Sequence, residues 1–150
     1  MDAIDKKILG YLQDDARISN IALADKVGLS PSACLRRVQS LEEGGTILGY
    51  TALYNEKNLG LGSQILVRIT LTGQGSDLLQ KFESAVKKMP NVLACYLMGG
   101  GHDYLMRMVA KNIEDYEYLH RTQLSKLPHV ARIESNFAMR EVVKRSSPIL

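Results

Sequence analysis

Apolar residues recur at helical spacing from the start of the chain. Ile4, Ile8, Leu9 and Leu12 predict a helix over 3–14, with Asp2 as its N-cap. After the link Arg17-Ile18, Ser19 can cap a second helix over 20–27, with Ile21, Leu23, Ala24 and Val27 as its apolar positions. Gly28 stands where a left-handed residue closes a helix. Ser30-Pro31 restarts a helix at once, with a hydroxyl cap and proline at the first helical position. That third helix runs to about Glu43, carries Cys34, Leu35, Val38 and Leu41 inward, and is stopped by Gly44-Gly45. Three short helices with a tight glycine turn between the last two form a helix-turn-helix pattern. Thr46 to Thr51 reads as a short strand.

The period then changes. Gln64 to Thr72 alternates, with Ile65, Val67, Ile69 and Leu71 on one side. Ser76 to Met89 is amphipathic and ends at Pro90. Val92 to Met98 and Tyr104 to Val109 are strands flanking a Gly99-Gly100-Gly101-His102-Asp103 turn. Glu114 to Leu127 is a helix stopped by Pro128, and Val130 to Met139 is the last strand. The order β-α-β-β-α-β is ferredoxin-like. The fold class is α+β: a three-helix domain over 1–50, a linker over 51–63, a ferredoxin-like domain over 64–139 and a tail over 140–150. Both helices of such a unit cover one sheet face. Leu93, Cys95 and Leu97 alternate with other apolar residues, as do Ile133, Phe137 and Met139, so the bare face is expected to carry apolar residues and to meet a second copy with two-fold symmetry.

Composition narrows the class. With 45% hydrophobic and 23% charged residues in 150, the chain reads as an ordinary globular protein. It has no run long enough for a membrane span and no secretory leader pattern, so a cytoplasmic protein is expected. Cys34 and Cys95 form no CxxC or Cys/His cluster, so neither a disulfide framework nor a metal site is expected. The formal net charge is +3, yet the first 50 residues hold six basic against seven acidic side chains. Nucleic-acid binding there would rest on a local patch and not on bulk charge.

The third helix offers such a patch. Ser32, Ala33, Arg36, Gln39 and Ser40 face away from its apolar side. Arginine can bond guanine O6 and N7 together, glutamine can do the same with adenine, and alanine can touch a thymine methyl. Arg17, Ser19, Asn20 and Ser30 sit at helix starts where phosphate contacts occur. Arg37 can join the DNA face or pair with acids of the first helix. Arg36 can equally be a solvated surface charge.

The triple glycine exceeds what a hairpin needs for positive φ. Bare N–H groups in a curved loop suit a carboxylate, and Asp103 beside them suits an ammonium, so together they match the head group of an α-amino acid. Ser135 and Phe137 share one face of the last strand, and Asn136 takes the other. A strand, not a helix, follows the glycines, so they are no dinucleotide fingerprint, and no phosphate-binding GxxxxGKS/T loop is present.

Along its whole length the chain resembles the Lrp/AsnC family of transcription regulators. The resemblance is carried by Gly28-Leu29-Ser30-Pro31, Arg37-Val38, Leu41-Glu42, Gly45, Ile47, Gly49 and Tyr50, and by Gly100-Gly101-His102-Asp103-Tyr104. It implies a helix-turn-helix joined to an amino-acid-binding domain, and dimers that assemble into tetramers, octamers or higher forms. It implies double-stranded DNA as partner, no cofactor beyond a small effector, and a nucleoid-associated protein of bacterial or archaeal type. It also implies an effector site around the glycine turn at an interface between subunits. Carried over on that basis are Gly100, Gly101, Asp103 and Tyr104, together with Gly99, His102, Ser135, Asn136 and Phe137. Position 33 is Ala where many relatives have Pro, and 36 is Arg where some have Glu, so no DNA sequence is carried over.

Two rival readings share this architecture. Siroheme decarboxylases resemble it, but would gather His, Arg and Tyr around a tetrapyrrole. Here His102, His120 and His129 are scattered, while Arg68, Arg107 and Arg132 can converge on one sheet face. An effector-independent, DNA-compacting protein is the other. No elbow presents a serine for hydrolysis, and the expectation is a regulator and not an enzyme.

Overall fold

A computed structural model of the chain describes residues 1–143, so most of the expected 140–150 tail lies outside the described residues. The chain divides into compact units, the first covering Met1–Leu53 and the second Tyr54–Val142.

The first unit holds α1 (Ala3–Asp14), α2 (Asn20–Val27) and α3 (Pro31–Glu43). Each helix begins on the cap that the sequence offers. Asp2 accepts the N–H groups of Ile4 and Asp5, while Asp5 accepts that of Asp2, a reciprocal capping box. Ser19 and Ser30 cap α2 and α3 through the N–H groups of Ala22 and Ala33. Gly28 closes α2 at φ 70°, where a Cβ would be strained. Ile8, Leu23, Ala24, Val27, Cys34 and Leu41 form the buried centre. Leu35 does not join it and is 46% exposed. One residue is about 100° of helix, so Leu35 falls away from the Cys34–Val38–Leu41 stripe and onto the Ser32–Arg36–Gln39 face. The expected strand at 46–51 is not formed. A lone segment has no ladder partner here, and Leu48 is 95% exposed.

Arg37 turns inward, as the pairing alternative expected. Its Nη1 donates to Asp2 Oδ2 and Asp5 Oδ1, both at 2.7 Å. The bond ties α3 to the start of α1. The N–H of Asp5, and then the Arg37 guanidinium, hold the Asp2 carboxyl below its ordinary value of 3.8. A carboxyl lowered on folding contributes stability above its ordinary value and loses it as pH falls through the folded value. Acid titration of the melting of the intact protein is therefore expected to show a loss in the first unit that sets in only below about pH 3.8, and that Asp2→Asn removes.

The second unit opens with a 3-10 turn at Glu56–Leu59 inside the expected linker. It continues through β1 (Ser63–Leu71), α4 (Ser76–Val86), β2 (Val92–Leu97), β3 (Tyr104–Ala110), α5 (Ile113–Thr122) and β4 (Val130–Phe137). The four strands are ordered β2-β3-β1-β4 and all neighbours run antiparallel, the ferredoxin-like sheet. α4 ends three residues before the expected Met89. α5 ends at Thr122, and a separate 3-10 turn follows at Leu124–Lys126. The β1 face bearing Ile65, Val67 and Ile69 is fully buried against Phe82 and Val86 of α4 and Tyr116 and Leu119 of α5.

The opposite face is more polar than the alternation suggests. Leu66, Tyr96 and Leu105 lie there among Arg68, Arg107, Arg132 and Glu134. Irregularities in pairing absorb the rest of the apolar alternation. The register shifts at Thr70/Leu71, next to His129 at φ 61°, so Val130 packs on the same core as Ile133. Cys95 and Leu97 face the helix side at the sheet edge, opposite Met106 and Tyr104.

Candidate functional site

On the first unit, Ser32, Arg36, Gln39 and Ser40 stand exposed along one side of α3, with Leu35 beside them. Arg36 makes no hydrogen bond or ion pair among the described residues, so its guanidinium is available. Leu35 was missed by the sequence reading because its apolar character assigned it inward; its i, i+3 and i, i+4 neighbours on α3 were the signal. The capping hydroxyls and amides are more occupied. Asn20 Nδ2 donates to Pro31 O at 2.8 Å, clamping the start of α2 to α3. Ser30 Oγ lies 3.3 Å from Ser32 Oγ. Arg17 and Ser19 are exposed at the α1–α2 link, and Ala33 is half-buried. Arg37 is held by two carboxylates, the pairing alternative named for it above.

On the second unit, the glycine turn joins β2 to β3. None of Gly99, Gly100 or Gly101 adopts a positive φ, and a Cβ built on any of them meets nothing. The expected turn-geometry demand for glycine is thus absent. All three are exposed, and the space above them is open.

Asp103 is the anchor of this turn. Its Oδ2 accepts the Leu71 N–H at 2.7 Å and its Oδ1 accepts Gln74 Nε2 at 2.8 Å. Its own N–H donates to Ile69 O, and its carbonyl accepts the Met98 N–H. Only 8% of the residue is exposed. The carboxylate expected to meet a ligand's ammonium is directed at the end of β1, where both of its oxygens are already hydrogen-bonded. Gln74 and the Leu71 amide carried no signal in the sequence. His102 beside it is half-buried, and its Nε2 is sealed from solvent without a hydrogen-bond partner. Tyr104 also points inward. Its ring packs 4.5 Å from that of Phe82, and its hydroxyl donates to Glu83 Oε1 at 2.8 Å.

The β4 candidates lie elsewhere on the sheet. Ser135 Oγ and the Tyr116 hydroxyl share a short hydrogen bond, and Phe137 meets the Tyr116 ring edge-on at 5.2 Å. Asn136 pairs with Leu66 and faces the other side. The turn lies beyond the Ile69 level of β1, whereas Phe137 pairs with Ile65, and β1 and β3 separate β4 from the turn's other strand. At about 3.3 Å per residue and 4.8 Å per strand, that is roughly 13 Å along the sheet and 10 Å across it. One amino acid does not span both parts in one protomer.

A helix-turn-helix followed by a ferredoxin-like unit with an open glycine turn defines a ligand-responsive DNA-binding protein. Comparison with known proteins agrees. Residues 1–47 match the winged helix-turn-helix DNA-binding family, and residues 64–148 match the Lrp/AsnC ligand binding domain. The chain is 41% identical over 150 residues to the Bkd operon transcriptional regulator of Pseudomonas aeruginosa, covering 100% of this chain and 98% of that one. It is 40% identical over 142 residues to the leucine-responsive regulatory protein of Escherichia coli, covering 95% and 87%. A Neisseria meningitidis transcriptional regulator solved in complex with L-methionine superposes with a TM-score of 0.94 at 32% identity, over 99% of this chain and 96% of that one. The chain belongs to the Lrp/AsnC family of transcriptional regulators.

Proposed function

We propose that this protein is a sequence-specific regulator whose DNA affinity or assembly responds to an amino acid held between copies of its second unit. The observation that carries the reading is the separation of the glycine turn from Ser135–Phe137 on one sheet. Copies placed side by side can bring the two parts together. The turn then offers bare amides to a carboxylate, with Asp103 holding it in place, while Phe137 and its neighbours belong to the other subunit. The L-methionine complex of the Neisseria relative supports an amino acid as the ligand class.

Self-association follows from the same reading, first as a dimer through the Leu66–Tyr96–Leu105 patch and then as a higher assembly. The two-fold axis of a dimer presents two α3 helices to two half-sites of duplex DNA. Ser32, Arg36, Gln39 and Leu35 supply base contacts; Arg17 and Ser19 supply phosphate contacts. An effector works only if it binds the competing assembly states with different affinity. We read the protein as cytoplasmic and bound to the nucleoid; among the described residues no helix is long and apolar enough to cross a membrane. A tetrapyrrole enzyme is the weaker reading. Arg68, Arg107 and Arg132 do share a face, but Arg68 and Arg132 approach Glu134, at 3.9 and 2.9 Å, and that face carries none of the three histidines.

The glycine turn gives a direct test. Gly101→Leu fits the protomer without strain, because its φ is ordinary and the space is open. An amino acid that raises the melting temperature of the wild type is expected to leave Gly101→Leu unmoved, with the ligand-free melting temperatures equal. An undiminished response in the variant places the effector elsewhere.

A further inference from the structure

α3 leaves one large apolar side chain in solvent. Cys34 and Leu41 are buried and Val38 packs on the same core, yet Leu35 is 46% exposed. A single exposed leucine is ordinary on a protein surface. Its neighbours set this one apart. Side chains three and four residues away are adjacent on a helix. For Leu35 the polar ones are Ser32 and Gln39, both exposed, and exposed Arg36 follows it in sequence. Each of these presents hydrogen-bonding groups. Leu35 also lies in the N-terminal half of α3, the part of a recognition helix that meets base edges. The start of that helix is fixed. Ser30 Oγ accepts the Ala33 N–H at 3.3 Å, and Asn20 Nδ2 donates to Pro31 O at 2.8 Å, so Leu35 rides on a helix clamped to α2.

Polar side chains read the donors and acceptors of a base pair. A hydrocarbon side chain reads none of them. In the major groove it finds one apolar group, the C5-methyl of thymine. We propose that Leu35 is a specificity-determining residue that selects thymine by packing on this methyl, beside the polar contacts of Arg36 and Gln39. Thymine's methyl and the leucine then leave water together. Cytosine in the same place offers an amine donor and no methyl, so it strands a polar group against the leucine. This inference deepens the DNA reading given above and rests on it.

The test is a two-by-two cycle on the full-length protein. The duplex is the segment that the wild type protects upstream of its own gene, with each thymine replaced singly by deoxyuridine. That exchange keeps the pairing and the O4 acceptor and removes only the methyl. Leu35→Ala keeps helix propensity and retracts the side chain. A melt verifies its folding, and affinities are compared at constant salt. At one thymine or more in each half-site, deoxyuridine is expected to weaken wild-type binding about fourfold, the scale of one buried methyl group. The same exchange is expected to leave Leu35→Ala unchanged, because the side chain that met the methyl is gone. Arg36→Ala is expected to keep the fourfold penalty, since its contact is to a different group. Wild-type binding indifferent to deoxyuridine at every thymine overturns the proposal and leaves the DNA reading standing. So does a penalty that Leu35→Ala shares in full. Failure of the wild type to protect any segment overturns the DNA reading and this inference with it.

Discussion

Replacing Asp103 with alanine is expected to destabilise the second unit by about 2–3 kcal/mol, because it strands a buried donor and removes two bonds to a carboxylate. The Leu71 N–H would lose its 2.7 Å acceptor, and Gln74 would lose its partner. Asp103→Asn keeps an amide oxygen for one of these donors, so it should lose less, about 1 kcal/mol. Denaturant unfolding of both variants checks the order. Effector response should fall in both, since the turn depends on this anchor. If Asp103→Ala instead loses effector binding with unchanged stability, the carboxylate contacts ligand directly and the positioning role fails.

The second large effect concerns DNA. Arg36→Ala is expected to weaken binding to the specific site by about 1–3 kcal/mol, the worth of a two-pronged base contact. Non-specific binding should change little. If Arg36 touches phosphate, the loss spreads evenly over all sequences and the salt dependence falls by about one unit of slope. Arg37→Ala provides the contrast. Its guanidinium is bound to Asp2 and Asp5, so its removal should lower the melting of the first unit without redirecting base preference. Titrations at constant salt with specific and scrambled duplexes separate the three outcomes.

Local rules made much of the fold legible. Asp2, Ser19 and Ser30 each start a helix because an oxygen can reach an orphan N–H, and Gly28 ends one because it tolerates φ 70°. The alternation of Ile65, Val67 and Ile69 located the core strand for the same local reason. The 46–51 segment was misread because strand propensity counts only when a partner strand is in register. Leu35 was misplaced because composition does not set the angle around a helix. The glycine turn was legible as a motif but not in its mechanics. Its glycines need no special backbone, and Asp103 is held by Leu71 and Gln74, contacts 32 and 29 residues away along the chain. Long-range hydrogen bonds of this kind leave no periodic trace.

Amino-acid binding and DNA binding are expected to be coupled in this chain. A gel shift on DNA from upstream of its own gene, with and without a mixture of the twenty amino acids, tests it most directly. The expected result is a shift whose midpoint or mobility changes with the mixture, and a change that persists when one amino acid is supplied alone. A shift indifferent to every amino acid would contradict the coupling and leave an architectural DNA-binding protein. No shift even at low salt would contradict the DNA reading itself.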